Sequence, residues 1–214
     1  MHPDLHTKWT ALCRRLGVTS NTDDSYERLI QYYTEPDRYY HDLDHIRHCL
    51  EELDALRTHC EQPDLVEAAI WFHDAIYDTR AHDNEKRSAD LARGQLTHLG
   101  LAHDAADTVA ALILATTHQT PPETTDQTVL VDIDLSILGQ PTEVFETYER
   151  GIRAEYDWVD DVSFAFGRCE ILRAFLERDH VFGTPLFQER YERTARENIQ
   201  HAIERWSRRT DASA

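Results

Sequence analysis

Apolar residues recur every three or four positions along most of this chain, the period of a helix that buries one face. Glycine and proline interrupt that period at only a few places, so the pattern divides into helical segments. A first helix is predicted over residues 4–16, stopped by Gly17, and a second over 23–34, opened by Thr22-Asp23-Asp24 and closed before Pro36. The third runs from His41 to His59 on a stripe of Leu43, Ile46, Leu50, Leu53 and Leu56. A fourth starts at Pro63, a residue suited to a first helical turn, and reaches Tyr77. Helices over 84–99 and 104–118 follow, separated by Gly100, before Thr120-Pro121-Pro122 breaks the pattern. Val129 to Leu138 is apolar and β-branched at its start, which would suit a strand; we read it as a short helix ending at Gly139. Three more helices are predicted: Thr142 to Tyr156, Asp160 to Arg178, and Thr184-Pro185 to Arg208. The expectation is a single all-α domain over residues 1–209, a helical bundle with a frayed tail at 210–214.

Charge narrows the partners. The chain carries 22 Lys and Arg against 40 Asp and Glu, a formal charge of −18. Such a surface disfavours long nucleic acid and anionic membrane as principal partners. No apolar run approaches the roughly 20 residues that cross a bilayer, and Met1-His2-Pro3-Asp4 lacks the basic-then-apolar order of a signal peptide. The four cysteines, Cys13, Cys49, Cys60 and Cys169, form no close pair and read as reduced thiols in a cytoplasmic protein. Nothing in the sequence fixes an oligomeric state.

The candidate chemistry lies in polar residues placed where core helices should be apolar. In the fourth helix, His73 and Asp74 stand side by side in a segment apolar around nearly its whole circumference. A buried carboxylate is costly unless it is paired or binds a metal. In the third, His41 and His45 stand four residues apart, hence on one helical face beside the leucine stripe, and His48 continues the row. His118 ends the sixth helix, and Asp132 and Asp134 sit inside an apolar segment, where a helix would point them about 200° apart. Histidines and acids from core-edge helices make a mixed nitrogen and oxygen donor set, suited to Mn, Fe, Co, Ni, Zn or Mg. The cysteines are not near these positions in the pattern.

Several of these pieces, in order, resemble the HD-domain superfamily of metal-dependent phosphohydrolases, and within it a small bacterial single-domain branch. They are Tyr39-Tyr40-His41-Asp42-Leu43-Asp44-His45-Ile46, Ala69-Ile70-Trp71-Phe72-His73-Asp74-Ala75-Ile76-Tyr77, Asn84-Glu85-Lys86-Arg87-Ser88-Ala89, Thr117-His118 and Val131-Asp132-Ile133-Asp134-Leu135-Ser136-Ile137-Leu138-Gly139. Arg153-Ala154-Glu155-Tyr156 and Gly167-Arg168 are similar to that branch as well. The resemblance implies an HD-type helical bundle whose metal ligands are His45, His73, Asp74 and an acid of the 132–134 pair, with Asp132 preferred over Asp134. The spacing of His41 and His45 is also similar to that of cyclic-nucleotide phosphodiesterases, which implies His41 as general acid and His45 as ligand.

What the resemblance implies is an enzyme: one divalent ion activates a water that attacks a small phosphorylated metabolite, a nucleotide first among the candidates. Arg38, Lys86 or Arg87 and His118 are candidates to bind the phosphate. Asp78 or Glu85 could take the proton of the water. His98, His118 and Glu85 also leave room for a second metal, as in the di-iron oxygenases of the superfamily. A non-catalytic domain that binds metal or nucleotide is the competing class.

Overall fold

The computed structural model describes residues 3–18, 20 and 22–211. Its regular elements are all helices, and no strand occurs among the described residues. They are α1 (Pro3–Arg15), α2 (Thr22–Tyr33), α3 (Leu43–Leu56), α4 (Pro63–Phe72), α5 (Asn84–His98), α6 (His103–Ala115), α7 (Thr125–Leu135), α8 (Thr142–Glu155), α9 (Asp161–Leu176) and α10 (Pro185–Asp211). Single 3₁₀ turns extend α3 over Arg57–His59 and α7 over Ser136–Gly139, so the apolar 129–138 segment is helical, as its length and the following glycine predict. Of the tail expected at 210–214, residues 212–214 lie outside the described residues, and α10 continues through Asp211.

The chain divides into two compact units, residues 1–133 and 134–214, and α7 runs unbroken through the division. The first unit is organised on α4. Every residue from Leu65 to Phe72 is buried, and α1, α3, α5 and α6 pack around it. Trp9 of α1 meets Trp71 of α4 edge to face at 5.5 Å between centroids, and Tyr33 at the end of α2 donates its hydroxyl to the Trp71 carbonyl at 3.1 Å. Asp126, in the first turn of α7, accepts from the peptide N–H groups of Glu61 (2.7 Å) and Gln62 (2.9 Å), immediately ahead of α4. Glu67, buried within α4, is neutralised by Arg15 and Arg57, the latter at 2.7 Å.

Two helix ends depart from the hydrophobic pattern, and both fall at candidate residues. The third helix begins at Leu43 and not at His41, because Asp42 is its N-cap and accepts from the N–H groups of Asp44 and His45 at 2.8 and 3.3 Å. The fourth ends at Phe72, five residues short of Tyr77, although no glycine or proline follows. Groups distant in sequence stop it. Arg38 binds the carbonyls of Asp74 and Ala75, and Ser88 of α5 accepts from the Ile76 N–H at 3.0 Å. Those backbone groups are thereby satisfied outside a helix.

In the second unit α9 packs along α10, and both α8 and α10 pack on the Ser136–Gly139 turn. The buried carboxylate of Glu149 accepts from Arg168 Nε (2.9 Å) and Trp206 Nε1 (2.7 Å). Asn198 donates its amide to the carbonyls of Leu138 and Gln140 at 2.9 and 2.8 Å, which fixes that turn to α10. At Gly139 the backbone comes so close to α10 that an added Cβ would collide with Tyr191 Cβ and lie 2.9 Å from its Cγ. We therefore expect Gly139→Ala to destabilise the protein by about 1–3 kcal/mol, the usual range for overpacking. Urea denaturation should show it as a lower midpoint with an unchanged slope.

Candidate metal centre

Three residues that the sequence singled out come together in the first unit. His45, on the first turn of α3, and His73, at the end of α4, face each other with Nε2 atoms 3.0 Å apart. Asp74 Oδ2 is 2.9 Å from His73 Nε2 and 3.4 Å from His45 Nε2. His45 and His73 are buried, and Asp74 keeps a small opening to water, with 16% of its side chain exposed. Because α4 ends at Phe72, His73 and Asp74 follow a turn and not a helical path, which lets adjacent side chains converge on one point.

The local chemistry favours a cation at that point. His73 Nδ1 lies 2.9 Å from the Ile70 carbonyl, which can only accept, so Nδ1 carries a proton; Nε2, facing Asp74 and His45, donates to Asp74 while the ring is an imidazolium and offers a lone pair once that proton is displaced. This tautomer is the one a metal-binding histidine uses. Burial pushes the Asp74 carboxyl upward, but positive charge on His73 and His41 and hydrogen bonds from His45 and His73 outweigh it. The carboxyl is held well below its usual range. It is an anion at neutral pH, as a ligand must be.

A fourth donor from the 132–134 pair of α7 is what the resemblance implies; Asp132 is 1% exposed and Asp134 half-buried. Within the first unit His45, His73 and Asp74 each offer one atom, and the three atoms lie within 4.8 Å of one another. Two imidazoles and a carboxylate fit a borderline or hard divalent ion, and these donors are already gathered.

Cys49 is the residue that sequence reasoning missed. Its thiol is buried 3.7 Å from both ring nitrogens of His45, and with His45 and His73 it forms a second group able to hold a metal. The signal was its position four residues after His45, which puts both on one face of α3.

The remaining candidates are placed as follows. His41 lies before the α3 cap, not on a helical face with His45. Its ring stacks on Tyr77 at 4.0 Å between centroids and stands 5.9 Å from that of His45. Arg38 is engaged with main-chain carbonyls and with Glu35. Lys86 points to solvent and pairs with Asp90 at 2.9 Å, while Arg87 is 4.0 Å from Asp83. Asp78 organises a turn: it accepts from the Arg80 N–H at 2.9 Å, and the Asn84 amide bonds its peptide on both sides. Glu85 sits half-buried in the first turn of α5. His118 follows α6 in a left-handed conformation (φ 55°), and His98 is exposed at the far end of α5, beside a pocket it lines with Asp24 and Arg28. Neither His98 nor His118 belongs to the donor group.

No family model matches the chain, and no curated protein or solved structure matches it either. Among the described residues no helix is long and apolar enough to cross a membrane. The geometry makes a direct forecast: His45→Ala should lose a bound divalent ion, and His98→Ala, outside the donor group, should keep it. Metal analysis of the two dialysed variants decides, and an ion retained in His45→Ala would overturn the donor assignment.

Proposed function

We propose that this protein is a metal-dependent phosphohydrolase of HD type that acts on a small phosphorylated metabolite, with nucleotides as the leading class. The observation that carries the reading is the convergence of His45, His73 and Asp74, three buried or nearly buried donors within 3.4 Å of one another. They would hold the ion, with an acid of the 132–134 pair as the fourth ligand that the resemblance implies. A bound divalent ion supplies a water acidified toward neutral pH and positive charge opposite the phosphoryl oxygens. Two anionic ligands offset the charge of that ion formally, and Arg38 and Lys86 are engaged elsewhere. His41 is then the group beside the centre that can add a positive charge and deliver a proton. The water gives up a proton to solvent as its oxygen bonds to phosphorus, the bond from phosphorus to the leaving oxygen breaks, and an imidazole proton of His41 passes to that oxygen. The stack on Tyr77 fixes the ring for this transfer. A chain charge of −18 supports a small substrate over a long polyanion.

The test is metal content followed by phosphate release from a panel of nucleotides and sugar phosphates. We expect a bound divalent ion, turnover on at least one ester, and loss of both in Asp74→Asn. Metal without turnover on any ester would move the protein to the binding class, and iron with oxygen consumption would make it an oxygenase. His41→Ala should retain the metal but lose about 10²–10⁴ in rate, the usual worth of general acid catalysis. The loss should be smallest for esters such as p-nitrophenyl phosphate, whose leaving group departs without a proton. Equal loss on all esters would remove the proton-donor role.

A further inference from the structure

We propose that Arg38 is a positioning residue, which sets the distance between the turn carrying His41 and the turn carrying Asp74. The inference rests on the metal-centre reading above but adds a residue that donates nothing to the ion. Arg38 is 8% exposed and lies between α2 and α3. Its Nη1 donates to the His41 carbonyl at 2.9 Å and to the Asp74 carbonyl at 2.6 Å, and its Nη2 donates to the Ala75 carbonyl at 2.8 Å. Its Nε pairs with Glu35 at 3.2 Å. The guanidinium also sits 5.2 Å from the Tyr33 ring centroid and 5.7 Å from that of Tyr77, the ring on which His41 stacks.

The choice of partners is what points to the donor set. Besides Glu35 on Nε, the two terminal nitrogens gather three main-chain carbonyls, which belong to the proton donor, to a metal ligand and to the residue after it. A carbonyl is attached directly to its own Cα, so holding it fixes where that side chain begins. The helix that would otherwise satisfy the Asp74 and Ala75 carbonyls is absent, because α4 ends at Phe72. Arg38 therefore both permits the turn and defines its place relative to His41. The task needs a rigid fork with several donors on one cation, and a lysine ammonium has no such geometry.

The experiment compares Arg38→Gln, Arg38→Lys and Glu35→Gln by Mn²⁺ affinity, in competition with a chromophoric chelator and well below each melting temperature. Partners that orient metal ligands are typically worth about 10–100-fold in affinity. We expect Arg38→Gln to weaken Mn²⁺ by that factor and Arg38→Lys to recover only part of it. Glu35→Gln should stay within about twofold of the wild type, since it leaves all three carbonyl contacts in place. Folded Arg38→Gln that binds Mn²⁺ with wild-type affinity, even with a lowered melting temperature, would make the arginine merely structural and overturn the proposal. Should Arg38→Gln fail to fold, wild-type affinity in Arg38→Lys would overturn it equally. Failure of the wild type to bind Mn²⁺ or Zn²⁺ would instead sink the metal reading. The metal-free histidine ring resonances then decide for Arg38: displaced His41 and His73 signals in the variants support positioning, and unchanged signals refute it.

Discussion

Two imidazole nitrogens and a carboxylate oxygen lie within 3.4 Å of one another in a place almost closed to water, and much of the first unit is arranged to keep them there. Donor atoms do not gather like this without a reason, since each gives up hydration and gains only partial pairing from its neighbours. The neutral-pH anion at Asp74 and the Nδ1-protonated tautomer of His73 both prepare the cluster to accept a cation. The supports are ordinary. Trp9 and Trp71 lock α1 to α4, Tyr33 holds the carbonyl of Trp71, and Asp42 starts α3 so that His45 falls on its first turn. The helix α4, buried from Leu65 to Phe72, gives the cluster a rigid base on one side.

Much of this was legible in the sequence because it follows from periodicity. The leucine stripe of α3 and the all-round apolar character of α4 gave the helices, and polar residues inside that apolar context gave His45, His73 and Asp74. What escaped was decided by groups far apart in the chain. No local feature ends α4 at Phe72; Arg38 and Ser88 do, from 34 positions before it and 16 after it in the numbering. The start of α3 could have been read correctly, since an Asp before the first leucine of a stripe is a strong N-cap signal. The His41 and His45 spacing hid it by also matching one helical turn.

The register on α7 was not legible for a different reason. Val129, Leu130, Val131, Asp132 and Ile133 are all buried, so the hydrophobic pattern offers no solvent face from which to orient the helix. Asp132 and Asp134 then look alike in sequence, and only packing chooses between directions about 200° apart. Cys49 was set aside because the cysteines were judged to lie away from the candidate ligands in the pattern, although it stands four residues after His45. Its spacing from His45 is the informative one.

That thiol bears on which ion the site would prefer. Cys49 Sγ lies against the His45 ring, while the carboxylate of Asp74 belongs to the other donor group, so His45 and His73 are shared between a carboxylate side and a thiol side. A hard ion such as Mg²⁺ gains from the first and nothing from the second, whereas Zn²⁺ or Co²⁺ accepts both nitrogen and sulfur. The ionised state of Asp74 favours the carboxylate side at neutral pH. On that side the thiol contributes differently, as a weak donor or acceptor beside the His45 ring that helps fix its orientation. The Ile70 carbonyl fixes the His73 ring through Nδ1, so that the Nε2 atoms of His73 and His45 are the pair that meets the Asp74 carboxylate.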